Sequence, residues 1–129
     1  MKLHLHKSDL QYQINGVDAE TITINYQPCT QSIIVSAEAL SSDWFSGPWE
    51  TLDAERLAEI LAFKPEVVLL GTGDKQRFIH PRHIQVFLEQ NIAVECMTTP
   101  AACRTFNILT AEGRHVVAAL LLEKHLAAG

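Results

Sequence analysis

The stretch Glu66-Val67-Val68-Leu69-Leu70 constrains the fold more than any other part of the chain. Its four successive apolar residues leave no polar face. As a strand, the segment has to be covered on both sides, which is the pattern of a sheet layered between helices. The flanks carry matching helix signals. Leu52 and Leu57 bracket Asp53 as a hydrophobic staple around an Asp N-cap, and Leu57, Ile60 and Leu61 line one helical face that ends at Lys64-Pro65. Downstream, Pro81 opens a second helix with Ile84, Phe87 and Leu88 as its apolar stripe and Asn91 at its end. IAVECM (92–97) reads as the next strand. Thr99-Pro100 starts a third helix, Gly113 stops it, and Arg114 to Leu122 returns as a last apolar strand.

The first half follows a different pattern. Asn15-Gly16 is a turn signal. TITINYQ (21–27) and SIIVSA (32–37), with QPCT between them, read as an antiparallel pair. Residues 38–50, EALSSDWFSGPWE, read as a long connection punctuated by Ser, Gly and Pro and pinned by Trp44 and Trp49. Those tryptophans either fill space beneath the loop, the preferred reading, or mark an interface with Phe45. The fold class that follows is α/β: one three-layer domain over residues 1–129, with a central mixed, mainly parallel sheet, helices on its faces and an N-terminal antiparallel β element. A chain of 129 residues with 47% hydrophobic content suffices for one core.

Charge narrows the possible partners. The net charge of -5, from 15 acidic and 10 basic residues without a Lys/Arg cluster, argues against nucleic acid and anionic membrane surfaces. The longest apolar run, VVAALLL (116–122), is far short of the roughly 20 residues of a membrane span, and the N-terminus has no signal core, so no membrane insertion and a cytoplasmic location are expected. Cys29, Cys96 and Cys103 are odd in number and lack CxxC spacing, which points to a reducing compartment.

If the strands ending at Leu70 and Met97 are parallel neighbours, Gly71, Thr72 and Gly73 lie beside Thr98, Thr99 and the start of the third helix. That crevice is the usual ligand position of an open α/β sheet. Helix N–H groups, hydroxyls and a closely approachable glycine backbone there suit a small anion. GTGDKQ lacks the third glycine of GxGxxG and the GK[ST] of a P-loop, so a nucleotide is not indicated. Arg104, near a helix start where its charge is unfavourable, either meets an anion or acid or is simply solvated. Asn107 shares its stripe three residues on.

The GTG turn after a buried strand, followed by MTTPAACRTFNILTAEGR (97–114) and an apolar strand, resembles the family called domain of unknown function 498. That family includes bacterial proteins of this length and the domain of mitochondrial respiratory complex I assembly factor 3. The resemblance implies a three-layer fold whose mixed sheet has one antiparallel strand. It also implies a role in complex assembly through protein contacts, with no established enzymatic reaction. Family members often carry an acid, a glycine and a tyrosine where this chain has Thr98, Pro100 and Phe106, so acid–base chemistry at Thr98 and Phe106 loses its groups here. A mitochondrial transit segment is not expected in the N-terminal residues of this sequence.

Other chemistry is sparse. His4 and His6 would share a strand face but lack further ligands, so no metal is expected. His80 suits a weak cap before the second helix. Cys103, in the first turn of the third helix, is either a small core residue or an activated thiol. No serine has a GxSxG context, and no catalytic set or cofactor is expected. Two functional readings remain: a non-enzymatic protein-binding or assembly module using SDWFSGPW and the crevice rim, or an anion-binding protein using Gly71 to Gly73, Thr98, Thr99, Arg104 and Asn107.

Overall fold

A computed structural model describes residues 6–7 and 11–123. His4 lies outside them, and for His6 only the backbone is described. The central sheet has six strands in the order β1-β6-β5-β9-β7-β8. These are β1 (His6–Lys7), β5 (Ser32–Val35), β6 (Ala39–Phe45), β7 (Val67–Gly71), β8 (Ala93–Met97) and β9 (Val116–Leu120). β7 pairs in parallel with both β8 and β9, whereas β5 runs antiparallel to β9 and β6, and β1 antiparallel to β6. β6, β9, β7 and β8 therefore point one way, and β5 and the short edge strand β1 the other.

The apolar runs do what their lack of a polar face requires. Along β7, Val68 and Leu70 face one core while Val67 and Leu69 face a second, and Val117 and Ala119 of β9 divide from Val116 and Ala118 in the same way. The first core is covered by α1 (Ala54–Ala58), the 3-10 turn Glu59–Phe63 that continues it, and α2 (Gln85–Glu89), through Leu57, Ile60, Phe63 and Phe87. The second is covered by α3 (Thr99–Ala111), through Ala102, Cys103 and Phe106. It is also covered by a separate three-stranded sheet of β2 (Ile14–Val17), β3 (Ile22–Ile24) and β4 (Gln27–Cys29). The molecule thus has three layers, the third part helix and part sheet.

Boundary signals of the second half hold. The Asp53 carboxylate accepts from the Arg56 N–H, Lys64 ends its helix in the left-handed region at φ 54°, and His80 Nδ1 accepts from the Arg82 N–H at 3.1 Å. Gly113, at φ 83°, follows the end of α3. Leu88 departs from its expected stripe and is 50% exposed.

The first half requires three corrections. Segments 21–27 and 32–37 do not pair with each other: TITINYQ folds back on itself at Asn25-Tyr26, so that β3 pairs with β4, while Ser32–Val35 joins the main sheet between β6 and β9. Asn15-Gly16 is an irregularity inside β2, and the turn falls at Asp18 to Thr21, where the Asp18 carboxylate accepts from the N–H groups of Glu20 and Thr21. The supposed long connection contains β6, seven residues deep in the sheet. Its serines hide it, since a strand flanked on both sides can bury small polar residues such as Ser41.

Candidate functional site

The carboxyl ends of the three parallel strands meet as expected, with Gly71 in register with Met97 and Leu120. Gly71 is required by proximity. A Cβ there would stand 3.0 Å from the Thr99 Cα, the Thr99 Oγ1 and a Leu120 methyl, so α3 can approach β7 this closely only over a glycine. Thr99 completes the junction. Its N–H donates to the Gly73 carbonyl at 2.9 Å, and its hydroxyl accepts from the Gly73 N–H at 2.9 Å and donates to the Leu121 carbonyl at 2.6 Å. Thr72 is equally committed. Its N–H donates to the Met97 carbonyl, and its hydroxyl donates to the Lys75 carbonyl at 2.6 Å and accepts from the Arg77 N–H at 3.1 Å.

The first turn of α3 has no backbone N–H left for an anion. The Thr99 N–H is used by Gly73, Pro100 has none, the Ala101 N–H meets the Thr98 hydroxyl at 3.4 Å, and the Ala102 N–H bonds the Thr98 carbonyl. Instead the protein supplies its own carboxylate. Arg77 donates from Nη1 and Nη2 to the two Glu123 oxygens at 2.7 and 3.0 Å, and Nη1 also reaches the Thr72 carbonyl at 2.6 Å. The hydrogen-bonded Glu123 carboxylate raises the Arg77 guanidinium further above its already high range. Gly73, at φ 93°, lies directly against Glu123, and any Cβ there would collide with that carboxylate. The surface beyond is acidic, a cleft bordered by Asp18, Asp74 and Glu123.

Arg77 and Glu123 were not indicated by sequence. They stand 46 residues apart, and only the alignment of β7 and β9 brings them together. The remaining expected residues scatter. Arg104 is exposed and forms no ion pair among the described residues. Asn107 tethers α3 to β2, its Oδ1 accepting from the Ile14 N–H at 3.1 Å and its Nδ2 donating to the Ile14 carbonyl at 2.7 Å. Cys103 is a core residue, its thiol pushed up to about 12 by burial, with Arg104 pulling weakly the other way. That excludes a ready thiolate.

The aromatic segment divides in two. Trp44 and Phe45 are buried, 2% and 7% exposed. The indole N–H of Trp44 donates to the Arg56 carbonyl at 3.3 Å, and the Arg56 guanidinium returns a bond to the Trp44 carbonyl at 2.9 Å while lying 5.9 Å over the Phe45 ring. Trp49 is half-buried, with Arg77 over its ring at 5.9 Å, so it abuts the crevice latch. Between Thr30–Ser32 and Ser46–Pro48 opens a cleft of about 220 Å³, with Phe45 and Leu122 in its wall and Glu123 at its edge.

Among the described residues no helix is long and apolar enough to cross a membrane, and no group of three or more His, Cys, Asp or Glu side chains is placed to hold a metal ion. The family model described as "Protein of unknown function (DUF498/DUF598)" matches residues 14–121. The chain is 30% identical to NADH dehydrogenase [ubiquinone] 1 alpha subcomplex assembly factor 3 of Bos taurus over 89% of its length, and 38% identical to that of Rattus norvegicus over 84%. It spans 63% and 59% of those two proteins, less than two thirds of either. A crystal structure of a Bordetella parapertussis protein superposes with a TM-score of 0.83 at 32% identity, covering 90% of this chain and 99% of that one.

Proposed function

The chain belongs to the DUF498/DUF598 family, and from that premise we propose that it is a non-enzymatic protein-binding module that assists the assembly of a larger complex, respiratory in type. One observation carries this reading: relatives named as complex I assembly factors align with 84–89% of this chain, so the shared part is nearly its whole fold. The carboxyl-end crevice is consistent with it. In α/β sheets this is where substrates usually bind, and here the donors of Thr72, Gly73 and Thr99 are engaged within the protein and its mouth is latched by Arg77 and Glu123. Partner contact falls instead to the outside of that latch, at Trp49 and the cleft rim from Ser46 to Pro48. A cytoplasmic location belongs to the same reading, supported by three free thiols.

The test is quantitative affinity purification of the tagged chain from its own cells. The same protein or complex is expected to be enriched in every replicate, and Ser46→Arg, an exposed position on the rim, is expected to reduce that enrichment without changing the melting temperature. Failure to enrich any reproducible partner would overturn the reading.

A further inference from the structure

The β3–β4 hairpin turns on Asn25 and Tyr26 alone, because Ile24 and Gln27 are register partners. Both turn residues occupy the left-handed region, at φ 47° and 66°. This is the geometry that two-residue hairpins prefer, and its second position ordinarily holds glycine, since a larger residue crowds its own backbone there. Tyrosine is thus a poor choice for local stability. The turn is nevertheless fixed firmly. The Asn25 N–H donates to the Gln13 carbonyl at 3.0 Å, its Oδ1 accepts from the Gln13 N–H at 2.8 Å, and its Nδ2 donates to the Gln11 carbonyl at 3.3 Å. The Tyr26 N–H donates to Asn15 Oδ1 at 2.6 Å. From this clamped base the Tyr26 side chain stands 82% exposed, more than Phe78, Ile108 or Leu88.

Strained, well-ordered backbone that does not serve the fold marks functional positions. The surroundings of Tyr26 indicate what the function is. In a chain with 15 acidic and 10 basic residues, none lies between Glu20 and Glu38. The tip segment therefore offers an aromatic ring beside exposed Gln27 and Pro28 and contributes no charge of its own. Charge depletion around a central aromatic is the composition of an interface core. Tyrosine is favoured there because two torsions fix a large ring that carries its own hydrogen-bonding group.

We propose that Tyr26 is a docking anchor, inserted by the hairpin tip into an uncharged, apolar-walled pocket on a folded partner protein whose floor offers an acceptor to the phenol hydroxyl. This rests on the protein-binding reading above and adds the hairpin tip to the Ser46–Pro48 rim as a second contact element. A second copy of the chain is a poorer occupant. Among the described residues, clefts of the chain border on Glu123, on Asp18 and Asp74, or on Asp43 and Arg56, and another is walled by the amides and hydroxyls of Gln11, Gln13, Asn107 and Thr110.

Tyr26→Gly separates function from folding, because it deletes the ring and relieves the turn at once. The partner enriched by the wild-type chain is identified, purified and titrated against both proteins, and the melting temperatures are compared. The variant is expected to melt higher and to bind at least about tenfold more weakly, with Tyr26→Phe between the two in affinity. Unchanged affinity overturns the anchor while leaving the protein-binding reading standing, whereas a wild type that enriches no partner overturns both. A lower melting temperature overturns the strain premise. A wild-type dimer that Tyr26→Gly converts to monomer overturns the choice of occupant.

Discussion

The carboxyl-end crevice and the β3–β4 hairpin tip both depend on backbone that glycine tolerates best, and they resolve the demand in opposite ways. At the crevice the glycines are present: Gly71 admits Thr99, Gly73 lies against Glu123, and the Gly73 N–H and the Thr99 N–H and hydroxyl are matched inside the protein. At the hairpin the glycine is missing, and a tyrosine is held in its place with its side chain in water. One region shows local structure and global fold in agreement. The other shows stability given up at a point where the fold gains nothing, and such conflicts are where function is to be sought.

The sharpest way to break the contrast is Thr99→Val. It keeps the shape and removes the hydroxyl, leaving the Gly73 N–H and the Leu121 carbonyl buried and unpaired, at an expected loss of roughly 2–4 kcal/mol in urea unfolding. A near-neutral result would mean that the crevice is less closed than its hydrogen bonds indicate. Arg77→Met is expected to lower stability by about 1–2 kcal/mol, since it orphans the carbonyl of buried Thr72 and frees the partly exposed Glu123. Its companion readout is Trp49 fluorescence, which should shift as the indole loses the guanidinium above it. Tyr26→Gly carries the opposite sign, a gain of about 1 kcal/mol. Opposite signs at the two sites would confirm the comparison in energetic terms.

The smallest expected effect asks whether the hairpin is alone in opposing the fold. One oxygen of Glu59 is buried without a hydrogen bond, and Arg56 stands 3.7 Å from the other. Burial raises the Glu59 carboxyl above its ordinary value, with Arg56 pulling it partly back. The folded chain therefore holds a proton that the unfolded chain has released, and stability falls as pH rises from the ordinary glutamate range through the raised value. Glu59→Gln is expected to gain up to about 1 kcal/mol above that window and nothing below it, as unfolding curves at acid and neutral pH will show.

Sequence legibility follows the same physical division. The second half was readable because its signals are local: an Asp before a staple, a proline opening a helix, a glycine closing one, and apolar runs with no polar face. β4 was not readable, because Gln27-Pro28-Cys29 is polar and contains proline, which a sheet admits on an edge strand. Asn25-Tyr26 escaped as a turn because half of its usual signal, the glycine, is absent. In β6 the serines and Asp43 masked a strand that its neighbours on both sides define. At the site, Gly71 to Gly73 and Thr98-Thr99 were placed together correctly, since strand ends and helix starts are local facts. What fills the space between them was not, because the Arg77–Glu123 pair exists only after the sheet has formed.

The position of β9 carries a consequence for how the chain comes into being. Among the described residues the last strand in chain order is a central one, hydrogen-bonded to β5 of the first half and to β7 of the second. A nascent chain can collapse locally as it emerges, but its two halves have no common sheet until residues 116–120 arrive between them. The sheet is therefore completed only once residues 116–120 have been made, and a chain released short of Val116 would present two open sheet edges, the exposure most prone to aggregation.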